Sequence, residues 1–249
     1  MSKWRQINII LFATFVVVST SIMHFLGADF LGKQEKPWHL QPSVHEDSLS
    51  KKYLSTYPII DKIRLIDQWS KSSKKRVIIL VDGWGIPIDE NILQQDFDIF
   101  TNIPHKFALH KRLANRTKHA EQVEFRQKDS ASIFLFGGDS LEYGRKQYIP
   151  PLNYNELLFC QTCNDSIMMR KLDSVLTQNT YTTIAWTTQD TKFGEKDVLH
   201  STLKNISKIA AKHSDTQFII QGTHRPILGA PIIRRQHKSH WVPAVLLNP

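Results

Sequence analysis

The sequence predicts an α/β domain built on a mostly parallel sheet flanked by helices and preceded by one N-terminal transmembrane helix. Three observations carry this. The first is the run Val77-Ile78-Ile79-Leu80-Val81, continuous in apolar residues, of strand length, and ended by Asp82-Gly83-Trp84-Gly85. Such a run suits a strand buried on both faces, as in a parallel sheet. The second is alternation: further apolar runs of strand length are separated by stretches with helical spacing, the pattern of α/β folds. The third is an N-terminal stretch, residues 7–26, with no Asp, Glu, Lys or Arg.

Taken in order, residues 1–6 read as a cytoplasmic tail, 7–27 as a signal anchor, 28–50 as a linker and 51–249 as an extracytoplasmic domain. Twenty mostly apolar residues at about 1.5 Å each span roughly one bilayer core. Lys3 and Arg5 precede them, the charge bias of a cytoplasmic N-terminus. A cleaved signal peptide is the competing reading, with Leu26-Gly27-Ala28 a weak cleavage site. Residues 28–50 are polar, hold two prolines and show no sustained period. Residues 53–71 carry Ile59, Ile60, Ile63, Leu65, Ile66 and Trp69 close to helical spacing, with Pro58 suited to a first turn. After the strand at 77–81, strands are expected at 132–136, 182–186, 217–220 and 244–247. Helices are expected at 91–100, 119–126, 167–176 and 198–212.

Composition narrows the function classes. In the 249 residues, 41% are hydrophobic and 22% charged, which excludes disorder, collagen, coiled coil and disulfide scaffolds for most of the chain. The net charge of +9 favours an anionic partner: membrane headgroups, nucleic acid, or a phosphate- or sulfate-bearing substrate. Nucleic acid is disfavoured because the basic residues are dispersed and form no binding motif. The two cysteines, Cys160 and Cys163, are spaced as C-x-x-C. That spacing admits a local disulfide, a redox pair or half of a zinc site.

Ligands of open α/β sheets bind beyond the carboxyl ends of the strands. Polar residues just after expected strands are therefore the first candidates: Asp82, Asp139-Ser140, Asp190 and Thr223-His224. The cluster His237-Lys238-Ser239-His240 precedes the last strand. Converging carboxylates and imidazoles are what a hard or borderline divalent cation requires. Taken singly, each has an ordinary reading, since strand-end Asp residues cap helices and most lone His lie on the surface.

Arg76-Val-Ile-Ile-Leu-Val-Asp82-Gly-Trp-Gly85 resembles the first strand of the alkaline phosphatase superfamily, particularly its phosphoglycerate mutase and sulfatase-like branches. His237-Lys-Ser-His-Trp-Val-Pro243 is similar to that family's late His-Thr-x-x-x-Val-Pro segment. Asn115-Arg-Thr117-Lys-His-Ala-Glu121 resembles the nucleophile region of its lipoteichoic-acid-synthase-like members. The resemblance implies a divalent metal (Zn, Mn or Mg) and two ligand sets. One is Asp82, Thr117 and His224, with Thr117 the nucleophile; the other is Asp190 and His237. It implies action on phospho- or sulfo-esters of an envelope molecule, with Arg225, Arg235 and Lys238 attracting the anion. The sequence departs from the pattern at three places. Thr223 stands where the family has an Asp before its His, Lys118 where it has Ser, and Gly194 where it has a second-site His; His200 is near but out of register. Each ligand set therefore lacks one member.

Two other readings stay open. One is a catalytically inactive scaffold or interaction protein anchored in the membrane on the same fold, with a protein partner. The other rests on Gly138-Asp139-Ser140-Leu141, which resembles the Gly-Asp-Ser-Leu block of SGNH-type esterases and would make Ser140 the nucleophile. In that family an Asp is expected three residues before the His, and Gln221 stands there.

Overall fold

The computed structural model describes residues 48–249 except 62, 70–74, 114–116, 126–131, 139–155, 162, 179 and 227–230. The expected anchor at 7–27, nearly all of the linker, and Asp139-Ser140 lie outside the described residues. Among those described, no helix is long and apolar enough to cross a membrane.

The central strand is β2 (Arg76–Val81), whose last five residues are all buried. It lies between β7 (Gln217–Gly222) and β6 (Thr183–Thr187), parallel to both. Beyond β6 come β4 (Ser132–Gly138) and the edge strand β5 (Glu156–Gln161), both parallel. On the other side β8 (Trp241–Leu247) runs antiparallel to β7 and to β3 (His105–Lys111), and the two-residue β1 (Ile59–Ile60) completes that edge. The order of the eight strands is β1-β3-β8-β7-β2-β6-β4-β5. The sheet is thus mostly parallel, as expected.

Helices cover both faces because alternate residues of β2 point to opposite sides. Val77, Ile79 and Val81 face one core, shared with Tyr53 of α1 (Lys51–Thr56) and with Leu93 and Phe97 of α3 (Glu90–Asp98). Met168 and Leu172 of α5 (Asp165–Gln178) and Leu203 and Ile206 of α6 (Lys196–Lys212) complete it. Ile78 and Leu80 face the other core, with Leu65 and Ile66 of α2 (Leu65–Trp69) and Ala120 of α4 (Thr117–Glu124). A short helix, α7 (Pro231–Arg235), precedes β8. Side-chain caps start three of these helices, one of them α5, where Asn164 Oδ1 accepts the Ile167 N–H. Ser50 Oγ accepts the Tyr53 N–H, and Asp89 accepts the Asn91 N–H.

The expected helix over 53–71 is a correction. The chain there forms α1, then β1, then α2. Pro58 ends rather than starts a helix: Tyr57 before it is extended, as residues preceding proline favour, and the Pro58 carbonyl accepts the Leu109 N–H of β3. Strand β3 was not expected because His-Lys-Phe-Ala-Leu-His-Lys carries four basic or imidazole side chains around a short apolar centre. Strand β8 starts three residues early, before Pro243. Pro243 pairs with Leu109 of β3, while the β7 ladder begins only at Ala244.

Two loops meet at the carboxyl ends of β2 and β7. The Trp84 carbonyl lies against Gly222, where an added Cβ would come within 1.8 Å of it. Backbone cannot yield as a side-chain end can, so Gly222→Ala is expected to destabilise the protein by about 3 kcal/mol or more. Thermal unfolding should then shift downward by roughly 6–12 °C; an unchanged midpoint would contradict this loop packing.

Candidate active site

Asp82 follows β2 directly, and its backbone N–H donates to Thr188 Oγ1, just past β6, at 2.9 Å. Gly83 next to it has φ +74°, a left-handed conformation that glycine adopts freely, and a Cβ there would meet the Thr191 carbonyl at 2.8 Å. The turn brings the Asp82 carboxylate across the end of β7. There Thr223 Oγ1 donates to Asp82 Oδ1 at 2.9 Å, and Gly83 N–H reaches Thr223 Oγ1 at 3.4 Å. The first residue of α4, Thr117, donates its hydroxyl to the same Oδ1 at 2.7 Å. His224 Nε2 stands 3.0 Å from Thr117 Oγ1 and 3.2 Å from Asp82 Oδ1.

Nδ1 of His224 is 2.8 Å from the Arg225 carbonyl, which only accepts, so Nδ1 carries a proton. Nε2 then either carries a second proton, donated toward Thr117 Oγ1 and Asp82 Oδ1, or turns its lone pair toward them. A carboxylate oxygen and an imidazole lone pair facing each other at 3.2 Å call for positive charge or a proton between them. Asp82 and His224 are both buried, while Thr117 is partly exposed and therefore reachable.

A second polar cluster lies beyond β6. Asp190 Oδ2 accepts the Asp165 N–H at 3.0 Å, and the Asp165 carboxylate accepts the N–H groups of Gln189 and Asp190 at 2.8 and 2.9 Å. Burial pushes the Asp165 carboxyl up to about 7, and repulsion from Asp190 and, more weakly, Asp82 adds to it. Asp190 thus meets Asp165 rather than His237. His237 makes its own hydrogen bond to the Ile233 carbonyl, Nδ1 to O at 2.8 Å. Burial holds its imidazole below the ordinary value, and Arg225 adds repulsion. The segment around His237 runs beside the loop after β2: Lys238 N–H donates to the Ile86 carbonyl, and Ile88 N–H to that of Gln236.

Of the residues singled out, then, Asp82, Thr117 and His224 fall within hydrogen-bond distance of one another, and Asp190 and His237 do not join them. Arg225 packs beside Gly85, and Arg235 lies exposed on α7. His200 is bound elsewhere. Its Nε2 lies 2.8 Å from Asp96 Oδ1, and the same buried carboxylate accepts Trp84 Nε1–H at 2.9 Å. Cys160 and Cys163 form a disulfide. Among the described residues, no group of three or more His, Cys, Asp or Glu is placed to hold a metal. The Asp82 cluster has two such residues and completes its donor set with hydroxyls. Thr188 and Asp165 are not among the residues singled out, and Thr223 is there only as a strand-end residue standing where the family has an Asp.

No protein-family model and no curated protein matches the chain. Solved structures do resemble it. The lipoteichoic acid synthase LtaP from Listeria monocytogenes is 9% identical at a TM-score of 0.49, covering 72% of this chain and 66% of that one. A protein in the alkaline phosphatase superfamily from Vibrio parahaemolyticus is 12% identical at 0.48, covering 70% and 60%. The Streptococcus pyogenes phosphoglycerol transferase GacH, in complex with sn-glycerol-1-phosphate, is 9% identical at 0.42, covering 70% and 68%. These neighbours are members of the alkaline phosphatase superfamily. The chain spans less than two thirds of the length of the first two. At TM-scores below 0.5, these alkaline phosphatase superfamily structures lend neither a residue's role nor an activity to this chain.

Thr223 is 1% exposed and supplies a donor to Asp82. Thr223→Val keeps the shape and removes that donor, so a loss of roughly 1–3 kcal/mol is expected, with Thr223→Ser close to wild type. Chemical denaturation measures both; equal stability in all three would show that the hydroxyl does not hold Asp82.

Proposed function

We propose that the protein is a membrane-anchored, metal-dependent hydrolase or transferase of phospho- or sulfo-esters, with Thr117 as nucleophile. The observation that carries this is the Thr117 hydroxyl held between Asp82 Oδ1 at 2.7 Å and His224 Nε2 at 3.0 Å. The residues fit one divalent cation: a carboxylate oxygen, a hydroxyl and an imidazole lone pair converge, and the Arg225 carbonyl fixes the ring's tautomer. When bound, such a cation lowers the hydroxyl's pKa and polarises a phosphoryl or sulfuryl oxygen.

The remaining steps belong to the chain. The Asp82 carboxylate, which already accepts the Thr117 hydroxyl, takes its proton. Thr117 Oγ1 forms a bond to the phosphorus or sulfur, and the bond to the leaving alcohol breaks as that oxygen gains a proton. Water or an acceptor hydroxyl then displaces Thr117 and completes hydrolysis or transfer. Arg225, Arg235 and Lys238 add positive charge that attracts the anionic substrate. Asp190 and His237 are left out of this one-cation reading.

The anchor at residues 7–27 would place the domain outside the cytoplasm. The Cys160–Cys163 disulfide supports that compartment, since disulfides persist where the milieu is oxidising. A second reading, the inactive scaffold, draws on Thr223. Its neutral hydroxyl stands where a carboxylate would add charge for a cation, and it already satisfies Asp82.

Purified full-length protein should cleave some member of a phosphate- and sulfate-ester panel in the presence of Zn, Mn or Mg. Thr117→Ala is expected to lower kcat at least about a thousandfold, with Thr117→Ser partly active. Full activity in Thr117→Ala would remove this mechanism. Chelator-resistant hydrolysis of short-acyl esters, abolished by Ser140→Ala, would favour the esterase reading. No turnover of any ester would favour the scaffold.

A further inference from the structure

The segment Thr188-Gln189-Asp190-Thr191, which follows β6, is bound both to the turn after β2 and to the start of α5. Its two threonine hydroxyls lie 2.6 Å apart, and that of Thr188 accepts the Asp82 N–H at 2.9 Å. Its two middle residues donate their N–H groups to the Asp165 carboxylate, Gln189 to Oδ1 at 2.8 Å and Asp190 to Oδ2 at 2.9 Å. Asp190 Oδ2 in return accepts the Asp165 N–H at 3.0 Å. The Asp190 carboxylate, which the family resemblance assigned to a cation, is thus the partner of the first residue of α5. Thr188, Thr191 and Asp165 are all buried.

Asp82 needs this support because the strand ladders stop short of it. The β2–β6 pairing ends with Leu80 beside Thr187, and the Thr188 N–H donates to the Leu80 carbonyl at 2.9 Å. The β2–β7 pairing ends with Val81 beside Gly222, and the Val81 carbonyl accepts the Thr223 N–H at 3.1 Å. The same carbonyl accepts the Trp84 N–H at 3.3 Å, which closes a turn over Val81–Trp84 with Gly83, at positive φ, as its third residue. The buried Asp82 N–H lies beyond both ladders and has the Thr188 hydroxyl as its acceptor. Without an acceptor, a buried N–H costs about as much as a lost hydrogen bond. The segment also reaches the next residue of the turn, where the Thr191 carbonyl leaves no room for a Cβ on Gly83.

We infer that Thr188 and Thr191 are positioning residues that act through Asp82. Anchored on Asp165, they form a strap that fixes the Val81–Trp84 turn, and the turn aims the Asp82 carboxylate at Thr117, Thr223 and His224. The consequence for a cation at that carboxylate rests on the function proposed above, whereas the strap itself does not.

Two measurements on isotope-labelled full-length protein test this. One is amide hydrogen exchange at Asp82, with Ile79 of β2 as reference; the other is the dissociation constant of manganese. Thr188→Val keeps the shape and removes the acceptor. Exchange at Asp82 should rise at least about tenfold relative to Ile79. Manganese binding should weaken roughly ten- to a hundredfold. Thr188→Ser should return both close to wild type. Thr191→Val leaves the acceptor in place and removes its partner, so a smaller change in the same direction is expected; it carries the comparison if Thr188→Val does not fold. Equal acceleration at Asp82 and Ile79, unchanged exchange at Asp82, or no recovery in Thr188→Ser would each overturn the inference. If exchange behaves as expected and wild type binds no manganese, the strap stands and the proposed function falls. If wild type binds manganese and Thr188→Val binds it equally well with Asp82 exchange unchanged, the inference falls and the function stands.

Discussion

One oxygen atom, Asp82 Oδ1, is where three parts of the fold are tied together. It accepts the hydroxyl of Thr117 from the start of α4 and that of Thr223 from the end of β7, and it faces His224 Nε2 at 3.2 Å. The knot depends on the placing of β2. A strand buried on both faces takes the sheet's centre, so the residue that follows it emerges between two parallel neighbours. The Asp82 N–H on Thr188 ties the third strand, β6, into the same point. Backbone contact between Gly222 and the Trp84 carbonyl then lets the two loops approach closely enough for the carboxylate to cross.

Around this knot the protein buries more ionisable groups than a simple α/β core needs. Asp165 and Glu124 are both pushed up to about 7, mainly by burial, and Asp96 is raised for the same reason. A buried carboxylate stabilises a fold poorly unless it is fully paired. Each of these sits on an element that positions a loop or helix near Asp82. Asp165 grips the turn at Gln189 and Asp190, Asp96 holds the Trp84 ring, and Glu124 ends α4.

The legible part of the fold was its centre. β2, β6 and β7 announced themselves because strands buried on both faces must be apolar almost throughout. The edges were hidden for the opposite reason. β3 carries lysine and histidine at both ends, β5 was overshadowed by its C-x-x-C, and β1 is two residues long within what reads as helical spacing. The grouping of Asp82, Thr117 and His224 could be anticipated from strand ends and motif resemblance. Asp190 and His237 could not be placed that way, since their distance depends on the paths of the 3-10 turn at Asp190–Phe193 and of α7. Glu124, His110 and Asp165 gave no signal at all: a polar residue declares itself buried only through its tertiary neighbours.

The central claim is that the Asp82, Thr117 and His224 donors form a cation site despite Thr223. Titration of full-length protein with manganese, followed by electron paramagnetic resonance, tests it most directly. The account predicts saturable binding of a single cation that Asp82→Ala and His224→Ala each abolish while the fold is retained. Manganese binding unaffected by both substitutions, or no saturable binding in the wild type, would contradict it.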